Sequence, residues 1–135
     1  EPGTHNVPGA AGLLEGLRFV ARKGPAHILA HERGLAAQCA HALSRLEGVT
    51  VYAAPRLSNQ AGVVSFRVEG MDCEEVGARL AKQGIAVRSG LHCAPLAHRT
   101  AGTLETGTVR ASFSAFNTPG EVSALVRAVG RLRVF

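Results

Sequence analysis

The sequence has no tryptophan, one methionine, one tyrosine and five phenylalanines in 135 residues, so any core it builds is aliphatic. No apolar run approaches the roughly 20 residues needed to cross a bilayer, and no secretory h-region is visible; a soluble protein without a membrane partner is expected. Cysteine is scarce as well. Cys39, Cys73 and Cys93 are odd in number, far apart and without a C-x-x-C pair, which excludes a disulfide framework and points to free thiols in a reducing, cytoplasmic setting. Lysine is nearly missing, with only Lys23 and Lys82. Positive charge is present, at a net +5, but not concentrated. The arginines are scattered, and the one dense stretch, RAVGRLRVF, reads as the solvated face of a terminal helix, so nucleic acid is set aside as a partner.

What remains is a globular composition sized for a single domain over residues 1–135, large enough to bury most of its apolar surface. The Gly/Pro-rich opening EPGTHNVPG, residues 1–9, reads as an inter-domain segment, as if the chain began inside a longer protein. AAGLLEGLRFVARKG carries Leu13, Leu14, Leu17 and Val20 at helical spacing, with Gly24-Pro25 as a stop. A second helix is predicted through AHILAHERGLAAQCAHALSRLEG, with Gly48 at its exit. VTVYAA and AGVVSFRVEG read as strands joined by the loop PRLSNQ. Asp72 caps the short helix CEEVGARLAKQG, whose first turn is acidic. IAVRSG and GTVRASF are two further strands with a loop between them, and Thr118, Pro119 and Glu121 open a final capped helix. This order predicts an α+β fold, a two-layer domain in which a sheet of about four strands is covered by helices.

Two residues stand out chemically. Cys93 lies between two predicted strands, after Gly90 and before Pro95, outside any regular apolar period. Arg88, His92, His98 and Arg99 surround it in sequence and favour the thiolate, the nucleophilic form of the side chain. A buried, inert thiol is the competing reading for a free cysteine. His92, Cys93 and His98 are competent metal ligands, as are His27 and His31, four apart on one helix. Neither group has a specific metal-binding spacing, and no metal site is expected. Arg110 sits in TVRASF, a strand suited to burial, where a planar guanidinium fits the bidentate capture of a carboxylate; an outward-facing arginine is the plainer alternative. Cys39 and Cys73 read as structural.

The run RSGLHCAP, the downstream GTVRASFSAFNTPGEV and the opening EPGTHN together resemble the C-terminal (small) domain of pyridoxal-phosphate-dependent cysteine desulfurases, in the class V aminotransferase superfamily. The resemblance covers the whole chain and implies the small-domain fold of the fold-type I enzymes. By this resemblance Cys93 is the catalytic cysteine, which takes sulfur from L-cysteine as an enzyme-bound persulfide and leaves L-alanine. Arg110 corresponds to the arginine that binds the substrate carboxylate, while Arg88 and His92 flank the catalytic loop and line the substrate site. Thr4 corresponds to a threonine that reaches the cofactor phosphate of the neighbouring subunit, which implies a homodimer. Pyridoxal 5'-phosphate would be bound mainly by a large domain carrying the Schiff-base lysine, a position that neither Lys23 nor Lys82 matches. The chain alone is therefore expected to be inactive. A sulfur-acceptor protein is a further implied partner. Another class V aminotransferase or lyase, including a selenocysteine lyase, and a non-catalytic interaction domain are the alternatives; the thiol at position 93 separates the first of these, since transamination does not require it.

Overall fold

The computed structural model describes residues 3–57 and 59–132; residues 1–2 of the opening segment, and residues 133–135 of the basic stretch, lie outside the described residues. Two helices come first, α1 (Val7–Lys23) and α2 (Pro25–Leu43). β1 (Val49–Tyr52) follows, then one turn of 3-10 helix (Pro55–Leu57) and β2 (Val63–Val68). After α3 (Cys73–Ala81) come β3 (Arg88–Gly90), α4 (Pro95–Ala101), β4 (Thr108–Ser112) and α5 (Pro119–Arg131). The four strands form one antiparallel sheet in the order β1-β2-β4-β3. This is the expected α+β architecture.

Alternation along the strands decides which face is buried. Val64, Phe66 and Val68 of β2 and Val109 and Ala111 of β4 point into the core, where Leu35, Cys39 and Leu43 of α2, Val76 and Leu80 of α3, and Val122, Leu125 and Val129 of α5 meet them. Burying each of the valine, leucine and phenylalanine side chains contributes about 1.5–3 kcal/mol. α5 is fixed at its start by a complete capping box, with Thr118 accepting from the Glu121 backbone and Glu121 reaching back to the Thr118 N–H. The Asp72 carboxylate caps α3 by accepting from the Glu74 N–H.

The opposite face of the sheet carries the other half of the alternation. Tyr52, Ser65, Arg110 and Arg88 are register partners in turn across β1, β2, β4 and β3, so one row of polar side chains crosses the whole sheet.

Several expectations need correction. The span between the last two strands, read as loop, begins with α4: Pro95 occupies its first turn and Gly102, with a φ of 68°, ends it. Only residues 88–90 of IAVRSG pair as a strand. α1 takes in residues 7–9 of the opening segment, because Asn6 accepts from the Gly9 N–H and Pro8 suits the first helical turn. α2 begins at Pro25, immediately after Gly24, and stops at Leu43, well before Gly48. The helical spacing of Leu13, Leu14, Leu17 and Val20 is real, yet all four side chains are exposed. Among the described residues, α1 packs chiefly on α2 and leaves this apolar stripe open.

Candidate active site

β3 ends at Gly90, and the chain then reverses over residues 91–94. The Leu91 carbonyl accepts from the Ala94 N–H at 2.9 Å. His92 and Cys93, the two central residues, have φ values of 53° and 56°. That pairing is the pattern of a type I′ turn, which normally takes glycine or asparagine because other side chains crowd the backbone there. Holding two ordinary residues in this region costs roughly 1–2 kcal/mol each. The turn lifts Cys93 into solvent, whereas Cys39 and Cys73 are buried. Burial pushes the Cys39 thiol up to about 12, which keeps it protonated and inert.

Below the turn the backbone is closely packed. A Cβ on Gly107 would stand 2.9 Å from the Cys73 sulfur and 3.1 Å from the Gly90 Cα. Cys73 thus wedges the start of β4 against the end of β3, in keeping with its structural reading.

His92 joins the turn to β4. Its Nε2 lies 3.2 Å from both the carbonyl oxygen and the Oγ1 of Thr108. The carbonyl can only accept, so Nε2 carries the hydrogen. Burial pulls the His92 pKa below its usual value, with the Arg110 guanidinium next in effect; the Thr108 carbonyl opposes this, and His98 and Arg88 add to the lowering. Behind His92, the His98 ring lies at 5.8 Å. His98 is itself buried, with Nδ1 at 2.8 Å from Thr103 Oγ1, and it anchors α4.

Two residues along β4 from Thr108, and on the same face, is Arg110, which pairs in register with Arg88 of β3. Two buried polar atoms here have no partner among the described residues: the His92 Nδ1 and the Arg110 Nε. One is an acceptor and the other a donor. The site therefore offers two guanidinium groups and an open donor–acceptor pair beside an exposed thiol, which suits a small anion that also brings a hydrogen to donate.

Arg88 and Arg110 are register partners, His92 bonds to Thr108 on the same strand as Arg110, and Cys93 follows His92 in the turn; Thr4 lies exposed in the stretch ahead of α1. Lys23 and Lys82 are exposed at the ends of α1 and α3. His27 and His31 lie on α2, and His31 Nε2 meets the Asn117 carbonyl at 2.9 Å. No group of three metal-ligating side chains assembles among the described residues. Thr108 and Thr103 were not anticipated. Strand alternation puts Thr108 on the face of Arg110 and was a usable signal; nothing in the sequence marks the contact of Thr103 with His98.

Comparison with known proteins covers nearly the whole chain. The model of a family described as aminotransferase class-V matches residues 1–125. A probable cysteine desulfurase of Mycolicibacterium paratuberculosis is 42% identical over 132 residues, 98% of this chain but 19% of that protein. The apo structure of a cysteine desulfurase from Thermococcus onnurineus NA1 superposes with a TM-score of 0.87 at 39% identity, over 98% of this chain and 32% of that one. The Escherichia coli cysteine desulfurase CsdA, in its S-sulfonic acid form, gives a TM-score of 0.82 at 34% identity, over 97% and 31% of the two chains. The chain thus spans a third or less of the length of these relatives.

Proposed function

Since this chain belongs to the aminotransferase class-V family, we propose that it is the small domain of a pyridoxal-phosphate-dependent cysteine desulfurase, in which Cys93 receives sulfur from L-cysteine and L-alanine is released. The observation that carries this reading is the exposed Cys93, held on a positive-φ turn that His92 ties to the strand of Arg110. Transamination needs no thiol at this place, so the strain committed to presenting one favours desulfuration over the other reactions of the family.

Each side chain has a defined task. Arg110, with its buried and unpaired Nε, holds the substrate carboxylate by a charge-assisted hydrogen bond. Arg88, its register partner, adds a second positive charge on the same face. The turn holds the sulfur of Cys93 out of the core, where it can meet a substrate and later pass its sulfur to an acceptor. Pyridoxal 5'-phosphate, when bound, supplies the electron sink for cleavage of the carbon–sulfur bond. The donor–acceptor pair left open by Arg110 and His92 fits an amino-acid substrate. Thr4 is assigned to the cofactor phosphate across a homodimer interface, and the open apolar stripe of α1 to packing against the cofactor-bearing part of the enzyme. Neither Lys23 nor Lys82 adjoins the cluster, so the 135-residue chain by itself is assigned no turnover. A cytoplasmic location and a thiol-bearing sulfur-acceptor protein complete the proposal.

The test is to incubate the full-length protein with pyridoxal phosphate and L-cysteine and to quantify alanine and sulfide in the presence of a reductant. Equal amounts of the two support the reading. Keto-acid formation without sulfide would replace it with transamination.

A further inference from the structure

Three polar side chains are buried among the described residues, His98, Thr103 and Thr108, and all three belong to one chain of contacts that ends at His92. Burying polar groups costs free energy unless they are paired. Their concentration beside a single turn, in a core that is otherwise apolar, marks a position that is being held. His98 is the member of this chain to which the desulfurase reading gives no task.

The end of α4 fixes His98 twice over. Gly102 donates to the Arg99 carbonyl, and the Thr103 N–H donates to the His98 carbonyl at 2.8 Å, the paired bonds of a Schellman motif. Thr103 then meets the side chain as well, its Oγ1 2.8 Å from the His98 Nδ1. The Gly107 N–H donates to the Thr103 carbonyl, so the segment that fixes His98 leads directly into Thr108.

His92, by contrast, is loosely tethered. Its Nε2 lies 3.2 Å from each of two Thr108 oxygens, the long end of the range for such bonds. It also sits on a positive-φ turn, a conformation that persists only where the surroundings over-determine it. A second contact is the His98 ring, with centroids 5.8 Å apart and planes tilted by 43°, within the ordinary span of paired rings.

We propose that His98 is a positioning residue, whose ring, locked by Thr103, holds His92 against Thr108 and so keeps the turn that presents Cys93 in place. The proposal deepens the desulfurase reading and rests on it only for the reaction that the placement serves. His98 acts through His92 and has no contact of its own with substrate. Without it the His92 ring is free to leave Thr108, and the strained backbone at His92 and Cys93 can relax to another path. The anion clamp of Arg88 and Arg110, on the sheet itself, is left intact.

The first test needs neither cofactor nor substrate. The histidine ring signals of the 15N-labelled protein are recorded at pH 7.5, with His92 assigned by the loss of its signal in His92→Gln. The wild type should show a slowly exchanging Nε2–H for His92, and His98→Ala should lose it while the methyl signals of the core residues Val64 and Val109 are unchanged. Thr103→Val, which removes the hydroxyl at nearly constant shape, should also lose it, and Thr103→Ser should restore it. In the full-length enzyme, His98→Ala and Thr103→Val should lower the rate of alanine formation at saturating L-cysteine by up to roughly 100-fold, the scale of a small misplacement, with KM nearly unchanged. A His92 signal absent from the wild type, or retained in His98→Ala and Thr103→Val, would overturn the proposal, as would a change in KM alone. Failure of the full-length wild type to make alanine would instead remove the desulfurase reading and leave the ring signals as the judge of what His98 holds.

Discussion

Arg88 and Arg110 face each other directly across the β3–β4 ladder, two positive side chains in register on the same side of the sheet. Like charges opposed in this way destabilise a sheet by about 0.2–1 kcal/mol, and the proposed function gives the pair its use, an anion that both can share. Arg88→Gln should therefore raise the unfolding free energy of the ligand-free protein by up to about 1 kcal/mol, read by urea denaturation. A loss of stability would mean that Arg88 makes a favourable contact which outweighs the repulsion.

The same pair behaves oppositely toward substrate. Arg110→Ala removes a charge-assisted clamp worth roughly 1.5–3 kcal/mol, so L-cysteine should bind to the full-length enzyme roughly 10 to 150 times more weakly, with cofactor retained. Titration of the bound cofactor's absorption with L-cysteine measures this. Unchanged affinity would return Arg110 to the role of an outward-facing strand arginine.

Folding should also respond to His92. Its pKa is lowered in the folded state, mainly by burial and then by Arg110, so the unfolded chain binds the proton more readily. The stability contributed by the neutral ring is then fully present above pH 6.5 and declines as the pH falls below it, toward the lowered folded value. Chemical denaturation at pH 7.5 and pH 5 should show this decline, and His92→Gln should reduce it. A variant with the wild-type pH dependence would assign the decline to other groups.

Gly107 tests the packing under the turn. Its φ of 59° disfavours any side chain, and a Cβ there would meet the Cys73 sulfur at 2.9 Å. Gly107→Ala should cost about 1–3 kcal/mol, and adding Cys73→Ala should recover the steric part while the backbone part persists. Full recovery in the double variant would mean that the left-handed backbone costs nothing here.

Much of this architecture was legible because local chemistry and tertiary packing agree. Asp72 and the Thr118–Glu121 box mark their helices unambiguously, and the alternation of Val64, Phe66 and Val68 selects the buried face of β2. Cys93 and Arg110 were found from their neighbours and from the family resemblance. What was missed is what sequence encodes weakly. α4 is seven residues long, lacks a side-chain cap and starts at a proline, so its span reads as loop. The turn at His92 and Cys93 lacks the glycine or asparagine that would announce positive φ. Residues 85–87 have strand-like composition, but only 88–90 reach the ladder. The open stripe of α1 shows the limit of periodicity, which finds a helix without saying what covers it.

The central claim is that Cys93 is the sulfur-accepting thiol, and mass spectrometry of the full-length enzyme after exposure to L-cysteine tests it most directly. The wild type should carry one additional sulfur atom on the peptide containing Cys93, removable by reductant, and should release alanine. Cys93→Ser should bind cofactor, carry no added sulfur and form no alanine. Alanine and sulfide released by Cys93→Ser at the wild-type rate would contradict the account.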